Sequence, residues 1–422
     1  MAEALASHEP KWLAARRERA ASLVKELELP SFKGTLGWEF TDLTGLEIDS
    51  YAPPQGGDAT ATERAARLFE PFDGGIELVQ VDAAGVVTET PESPSEPLVL
   101  PLSVAAERFP ELVEQHLGTV VASEDPFVAR NERGFAGGAF VYVPRGHRLD
   151  APVLLSAIQD ASGTALNWRT LIVLEEGAEA EVWEQYLSSG EEVDALFNTV
   201  VEVVVGANAH LRFVCGQALS EKSWIFGTQR AVVGADGSLD WVALGFGSAR
   251  GKVRMETNLA GQGSEAKVTV AYAGHARQHL DFDTTQEHAA ENTVSDLAFR
   301  GVLRDRSTAV WRGMIKVDPG AQKTDAFQES RNLLLSKRAH ADAIPGLEIE
   351  ANDVRCTHAA AIAQIDPEQV FYLMAHGVPR EVATRLVIEG FLAELVERFK
   401  EGPVRDALAG ALQRRLEQIL DR

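Results

Sequence analysis

Four turns of similar sequence recur at a nearly constant spacing in the middle of the chain. Their glycines are Gly177, Gly206, Gly234 and Gly261, which are 29, 28 and 27 residues apart. One such step has room for two strands of typical length and two turns. A chain with this period can wind back on itself so that each repeat packs mainly on its neighbours. The spacing therefore predicts a β-helix or similar solenoid, built from repeated strand pairs.

The segments between these turns have the composition of strands. The ranges 171–174, 200–205 and 267–272 are rich in β-branched residues, which favour pleated structure. A β-sandwich is the alternative fold, but it predicts strands about every 8 to 12 residues without a longer repeat in the turns. The recurring turns favour the solenoid over the sandwich.

Helical patterns flank the predicted solenoid. We therefore expect a mainly β protein with three regions: a mixed helical region over 1–134, a β-helix core over 135–358 and a helical region over 359–422. In the first region, Pro10 suits the first turn of a helix that runs to about Leu27. The apolar positions of that segment recur at helical spacing.

The C-terminal region is predicted to contain two or three helices. Asp366 can cap a helix that begins at Pro367, and a second helix runs from Pro379 to about Phe399. A last helix is expected over 404–420. Such helices carry an apolar stripe, and either the solenoid or a partner protein must cover it.

The charge and cysteine content exclude several classes of protein. The formal net charge is -23, and no dense run of lysine and arginine offsets it, so nucleic acid and anionic membrane surfaces are poor partners. Two cysteines cannot form a disulfide framework. Residues 1–9 lack the basic and apolar parts of a signal peptide, and no stretch reaches the roughly 18 apolar residues of a membrane span. We expect a soluble, cytoplasmic protein.

One short motif carries metal-binding chemistry. Cys356 and His358 lie between a strand-like run and the helical tail. Side chains two residues apart share one face of a strand, with Cα atoms roughly 6.5 to 7 Å apart, so thiol and imidazole could bind one metal together. An iron-sulfur cluster needs about four ligands, and the only other cysteine is Cys215, so any cluster would be shared with another chain. The ordinary alternative is a small buried cysteine beside a hydrogen-bonded histidine.

A series of segments in the last third of the chain resembles the SufB/SufD family of iron-sulfur cluster assembly proteins. Seven segments carry this resemblance, in order over about 100 residues: 299–303 (FRGVL), 313–317 (GMIKV), 322–325 (QKTD), 332–335 (NLLL), 345–349 (PGLEI), 353–358 (DVRCTH) and 371–373 (FYL). The segment 38–43 (WEFTDL) resembles the tryptophan-led entry segment of the family, so the likeness extends over the whole chain. Within the family the chain is most like SufD, because the Cys-Thr-His element resembles that of SufD and the several cysteines of SufB are missing.

The resemblance implies a non-enzymatic scaffold subunit of the SUF system, with a β-helix core between helical regions. Such a subunit pairs with SufB and docks the ABC ATPase SufC. The resemblance also implies that His358, with Cys356 as its neighbour, faces a nascent cluster at the shared interface, and that no cofactor stays bound to the chain alone. The partner is expected to bind an exposed stripe of the C-terminal helices that consists of Tyr372, Leu386, Phe391 and Leu395. His376 stands where many relatives have arginine, which bears on the contact to the ATPase.

Two alternative functions stay open at this stage. The chain could be a SufB-like homodimeric scaffold or form homodimers in isolation, although two copies supply only two Cys356 and two His358 as ligands. It could instead be a polysaccharide lyase or hydrolase. Enzymes with β-helices place carboxylates along a sheet, and Asp281, Asp283 and Glu287 could form such a cluster.

Three histidines and one cysteine outside the motif are further candidates for metal ligands. His275, His279 and His288 fall within 14 residues and could bind zinc. On solenoid strands such histidines are more often hydrogen-bonded fillers. Cys215 is flanked by apolar residues in a strand-like segment and is interpreted as a core residue.

Overall fold

The computed structural model of the chain describes residues 9–86 and 93–420. The first eight residues, which carry most of the expectation about a signal peptide, lie outside the described part. The helices in the described ranges are α1 (Lys11–Glu26), α2 (Ala61–Arg64), α3 (Leu102–Arg108), α4 (Pro110–His116), α5 (Pro126–Gly134), α6 (Pro367–Ala375), α7 (Arg380–Val396) and α8 (Pro403–Leu420).

The strands are β1 (Ile76–Val81), β2 (Ala84–Val86), β3 (Leu98–Pro101), β4 (Gly137–Val143), β5 (Val153–Gln159), β6 (Ala165–Leu174), β7 (Glu179–Ser188), β8 (Leu196–Val205), β9 (His210–Ala218), β10 (Trp224–Val233), β11 (Ser238–Gly245), β12 (Arg250–Leu259), β13 (Glu265–Gly274), β14 (His279–His288), β15 (Val294–Leu303), β16 (Thr308–Val317), β17 (Asp325–Leu334), β18 (His340–Ile349) and β19 (Arg355–Gln364). The last strand thus extends beyond residue 358. The division of the chain into three regions stays a prediction.

From β4 onward the strands alternate between two sheets. The odd-numbered strands from β5 to β19 form a ten-stranded sheet with β1 and β2, and the even-numbered strands from β4 to β18 form a nine-stranded sheet with β3. The alternating strands pair in parallel; Thr228 of β10, for example, lies between Val200 of β8 and Arg254 of β12. Each sheet gains one strand with every pass of the chain. This is a β-solenoid with helices at both ends, and the predicted fold class is confirmed.

The turns that lead from the nine-stranded to the ten-stranded sheet stack on one another. From the β6–β7 turn to the β16–β17 turn, one residue in each turn has a left-handed backbone, with φ between 52° and 74°, and its amide donates a hydrogen bond to a carbonyl of the next turn. The residues at this position are Gly177, Asn208, Asp236, Gly263, Asn292 and Lys323. Asparagine, aspartate and glycine tolerate this conformation better than other residues. The turn ladder therefore continues where glycine does not mark it in the sequence.

The glycines of the sequence repeat are not all equivalent. Gly177 occupies the left-handed position, whereas Gly206, Gly234 and Gly261 lie two residues before it in their turns. These three lie against the preceding turn: a Cβ atom on Gly261 would be 2.0 Å from the backbone nitrogen of Ala235. The approximate period of the repeat is correct, but Gly177 does not occupy the same position in its turn as the other three glycines. Glycine meets two different steric demands in these turns, and the sequence does not distinguish them.

Apolar side chains fill most of the space between the two sheets. Trp168, Trp241 and Trp311 lie there without exposed surface. Cys215 is buried in the same cluster, as predicted for a core residue. Burial of such large side chains is the main favourable contribution to folding.

Helices α7 and α8 cover the outer face of the ten-stranded sheet. Leu392 and Leu395 of α7 and Leu412 of α8 are buried in one cluster with Leu244 and Val302 of the sheet. The solenoid itself thus covers much of the helical stripe, and the expectation that Leu395 is exposed is wrong. Within the described ranges, no helix has the length and apolar character needed to cross a membrane.

His288 should make the stability of the fold sensitive to acid. It is fully buried, with Nδ1 2.7 Å from the hydroxyl of Thr293 and Nε2 2.9 Å from that of Ser295, and burial lowers its pKa to about 4. As the pH falls from about 6.5 to 4, the unfolded chain takes up a proton that the folded chain excludes. This histidine should therefore remove up to about 1.4 kcal/mol of stability per pH unit in that window.

Urea unfolding at several pH values checks this prediction. The wild-type free energy of unfolding should fall more steeply between pH 6.5 and 4 than that of His288→Gln, since the variant lacks the titrating group. Parallel curves for the two proteins would contradict it.

Candidate functional site

Cys356 and His358 lie on β19, the last strand of the ten-stranded sheet. In the described part of the chain, β19 pairs only with β17, and its other edge has no partner strand. The last strand of the nine-stranded sheet, β18, likewise pairs only with β16. The backbone N–H and C=O groups along these outer edges are available to another chain.

The side chains of Cys356 and His358 belong to the inner face of the sheet. Cys356 packs against a buried cluster that includes Val317 and Ala326. His358 is two residues further along the same strand and therefore shares this face. Its register partner on β17 is Gln328. The strand thus places thiol and imidazole side by side, as their spacing predicts.

The two candidate ligands differ in availability. Cys356 is half-buried, and burial followed by the nearby Asp325 carboxylate raises the pKa of its thiol. Because metals and clusters bind the thiolate, this thiol is a poor ligand at neutral pH in the isolated chain. His358 is exposed, so its imidazole is the more accessible of the two.

Together these side chains offer two of the roughly four ligands that an iron-sulfur cluster takes. No group of three or more histidine, cysteine, aspartate or glutamate side chains converges on a metal-sized site within the described ranges. The residues at β19 therefore suit part of a site that a second molecule completes.

The interior of the solenoid is open at this end. Leu347 and Ile349 of β18 continue the rows of Ile315 and Val317, which are fully buried one strand earlier. In the last layer the same rows are 38% and 41% exposed, and Ile362 on the facing strand is 45% exposed. Uncovered core-type side chains beside unpaired strand edges are typical of an association surface. Sequence reasoning missed these residues because their apolar pattern looks like that of any core strand.

A second apolar surface lies on the hairpin formed by α6 and α7. Its tip consists of Phe371 and Tyr372 of α6 and Val382 and Leu386 of α7, all at least 45% exposed. Only Val370 is buried on α6. Exposed apolar side chains like those of this hairpin tip are of the kind that partner proteins cover.

The four residues predicted to bind a partner therefore divide into two pairs. Tyr372 and Leu386 belong to the hairpin tip, whereas Phe391 is half-buried and Leu395 buried against the ten-stranded sheet. The expectation of one continuous exposed stripe is corrected, because α7 turns its later residues towards the solenoid. Phe371 and Val382 replace them at the exposed surface.

The three weighed histidines each have a separate hydrogen-bonding environment. His275 pairs with Glu221 at 2.8 Å, and His279 lies 2.7 Å from the hydroxyl of Thr308. His288 contacts two hydroxyls, as described above. These contacts fit the hydrogen-bonded interpretation and not a common zinc site.

The carboxylates considered for an enzyme are neutralised by cations. Asp281 is buried and lies 3.0 Å from Nζ of Lys252, which also lies 3.4 Å from Asp283. Glu287 pairs with Arg230 at 3.1 Å and with Lys316 at 2.8 Å. The N-terminal segment closes over this region, since the Thr41 hydroxyl donates to Asp281. These contacts favour a structural ion-pair network over a row of catalytic carboxylates.

Comparisons with known proteins identify the family. A family model described as SUF system FeS cluster assembly, SufBD core domain, matches residues 157–391. The iron-sulfur cluster assembly protein SufD of Bacillus subtilis (strain 168) is 30% identical over 416 residues, which are 97% of this chain and 95% of that protein. An iron-sulfur cluster assembly SufBD family protein of Staphylococcus epidermidis is 26% identical over 398 residues, 91% of this chain and 85% of that protein. With more than half of its length matched by the family model and nearly all of it aligned to SufD, the chain belongs to the SufB/SufD family and is most like SufD.

Proposed function

We propose that this chain is a non-enzymatic scaffold subunit of a SUF iron-sulfur cluster assembly complex. The observation that carries the proposal is the open end of the solenoid, where His358 lies on an edge strand beside exposed apolar residues. The relative from B. subtilis is named as an iron-sulfur cluster assembly protein. A ligand set divided between two chains suits a scaffold that builds a cluster and then releases it, because neither chain alone holds all the ligands.

The partner at this end is a SufB-type chain. A second solenoid placed against β18 and β19 would continue both sheets and satisfy the free backbone groups of the two edges. The same contact would cover Leu347, Ile349 and Ile362, which are partly exposed in the single chain. Backbone pairing and apolar burial would then act together at one interface.

The cluster is the cargo of this interface. His358 supplies a neutral imidazole, Cys356 is a secondary ligand once its thiol is deprotonated, and the SufB-type partner supplies further thiolates. Both ligands bind metal only without their proton. Cluster assembly should therefore weaken as the pH falls.

A SufC-type ATPase docks on the hairpin tip. Tyr372 and Leu386, together with Phe371, expose apolar surface of the required kind. Helix α6 begins at Pro367, three residues after the end of β19. An ATPase bound to the hairpin would therefore act directly beside the strand that carries His358.

Replacing the two candidate ligands tests the cargo site. In a complex reconstituted with SufB-type and SufC-type partners, His358→Ala should lower cluster formation by about tenfold or more, the scale at which even outer-shell changes act. Cys356→Ser should have a smaller effect, because the half-buried thiol is largely protonated at neutral pH. Iron and sulfide content and the visible absorption of the cluster measure both effects.

Size-exclusion chromatography of the same samples serves as the control. Both variants should leave the complex intact, since neither removes the apolar contacts of the interface. Dissociation by His358→Ala, or a larger loss of cluster with Cys356→Ser, would show that the roles are assigned wrongly.

A matched pair of charge substitutions separates the two docking surfaces. Ile362 at the open end and Leu386 at the hairpin tip are each 45% exposed, so an aspartate at either position should perturb the free chain to a similar degree. Ile362→Asp should abolish capture of the SufB-type chain and keep that of the ATPase, while Leu386→Asp should do the reverse, because an unpaired charge opposes burial in an apolar contact. Pull-downs with each partner alone measure this. Loss of both partners from either variant, or undiminished ATPase capture by Leu386→Asp, would contradict the assignment.

A further inference from the structure

A row of polar side chains lies beneath the open end. Gln328, Ser330 and Asn332 occupy the inner face of β17, and each is at most 2% exposed. Gln328 is the register partner of His358, and Asn332 is that of Ile362. The neighbouring layers of the solenoid are largely apolar, so three consecutive polar positions at this level need partners of their own.

Two of these residues are satisfied within the chain. The Asn332 amide accepts a hydrogen bond from the hydroxyl of Tyr272 and donates one to Ser330 at 3.3 Å. Their contacts run along β17 and back into the solenoid, away from His358. They form a structural polar pair.

Gln328 is only half satisfied. Its Nε2 donates to the carbonyls of Gly313 at 3.3 Å and Gly346 at 3.1 Å, so the side chain crosses the interior and its amide is held by the opposite sheet. Its Oε1 is buried and has no hydrogen-bond partner in the part of the chain that the structure describes. Reversing the amide would leave Nε2 without these two acceptors and is disfavoured.

The surrounding backbone keeps room for this oxygen. A Cβ atom on Gly313 would lie 2.5 Å from Oε1 of Gln328. Because Gly313 has no side chain, the space that the amide oxygen of Gln328 occupies stays free. A buried acceptor with one side anchored and the other unbonded requires a donor from outside this set of contacts.

We infer that Gln328 is a positioning residue for His358. The two are same-face neighbours on adjacent parallel strands, about 4.8 Å apart along the hydrogen-bonding direction. When a second chain covers the open end, Oε1 of Gln328 accepts a hydrogen bond from one ring N–H of His358. That bond selects one tautomer and turns the other, unprotonated ring nitrogen towards the nascent cluster.

The inference rests on the proposed function, because it explains how a histidine at the interface presents a defined nitrogen to the cargo. It also explains why an exposed side chain would act reproducibly as a ligand. The hydrogen bond fixes the orientation of the His358 ring once the partner chain excludes water from the open end. Gln328 itself does not touch the cluster.

A double-mutant cycle tests the inference in the full complex with SufB-type and SufC-type partners. Gln328→Met keeps the length of the side chain and removes the acceptor; it should lower cluster formation about tenfold when His358 is present. In the His358→Ala background it should have no further effect, because its influence passes through the imidazole.

Asn332→Leu is the matched control. It alters a buried amide on the same face of β17 whose contacts avoid His358, so its effect on cluster formation should be equal in both backgrounds. If Gln328→Met lowered cluster formation equally with and without His358, Gln328 would have only a structural role and the inference would be overturned.

Nitrogen-15 NMR of the histidine ring supplies a second readout without a cluster. In the complex of the wild-type chain with the SufB-type partner, His358 should show one dominant tautomer, and Gln328→Met should give a mixture. An unchanged tautomer ratio would also overturn the inference. If His358→Ala leaves cluster formation unchanged, the proposed role of His358 fails, and the tautomer ratio alone then decides the positioning by Gln328.

Discussion

Parallel, in-register stacking of the backbone is the constraint on which this structure depends. Every strand inside the two sheets has a neighbour on each side, and the turns are joined by amide-to-carbonyl bonds from one coil to the next. Stacking alone does not terminate such a structure, because each added coil leaves the same unpaired backbone N–H and C=O groups at its outer edge as the coil before it. At the N-terminal end, β2 and β3 meet the sheets in antiparallel pairs. At the C-terminal end, β18 and β19 remain as edges, and the candidate site lies there.

The sequence predicts the solenoid because stacking imposes an approximate period on the turns. It predicts less about individual turns. Gly177 and Gly206 look alike in sequence, but Gly177 adopts a left-handed conformation, whereas Gly206 lies so close to the preceding coil that a side chain would not fit. The spacing of Cys356 and His358 predicts their common face. Which face of β19 points inward could not be predicted, since Ile362 is the one large apolar residue between 355 and 364 and the other positions on both faces are small or polar. The burial of Leu395 depends on how α7 meets a sheet distant in sequence, which helical periodicity alone does not reveal.

The polar row on β17 shows a similar limit. Residues 328–332 alternate between uncharged and charged polar side chains, and a strand that is polar on both faces gives weak information about its register. Only the packed structure shows that Gln328 spans the interior while Glu329 and Arg331 pair on the outer face. An interior polar group is retained where its hydrogen bonds are met or where a partner completes them. In Gln328 the Nε2 atom is bonded and the buried Oε1 atom is not, so this side chain can still accept a hydrogen bond from a further donor.

The short connection between β19 and α6 links the two candidate interfaces mechanically. Ile365 packs against the buried cluster under α7 and α8, and the Asp366 carboxylate caps α6 by accepting from the amide of Glu368 at 2.8 Å. Ile365 is fixed by packing and Asp366 by its capping hydrogen bond. The connection between β19 and α6 therefore cannot absorb a displacement of the hairpin tip by changing its own conformation. Such a displacement must tilt α6 against α7 or pull on the end of β19, which has a neighbour on only one side. An ATPase bound to the hairpin would therefore act on β19, an edge strand with one neighbour and the strand that carries His358, while α7 and α8 stay packed on the outer face of the ten-stranded sheet.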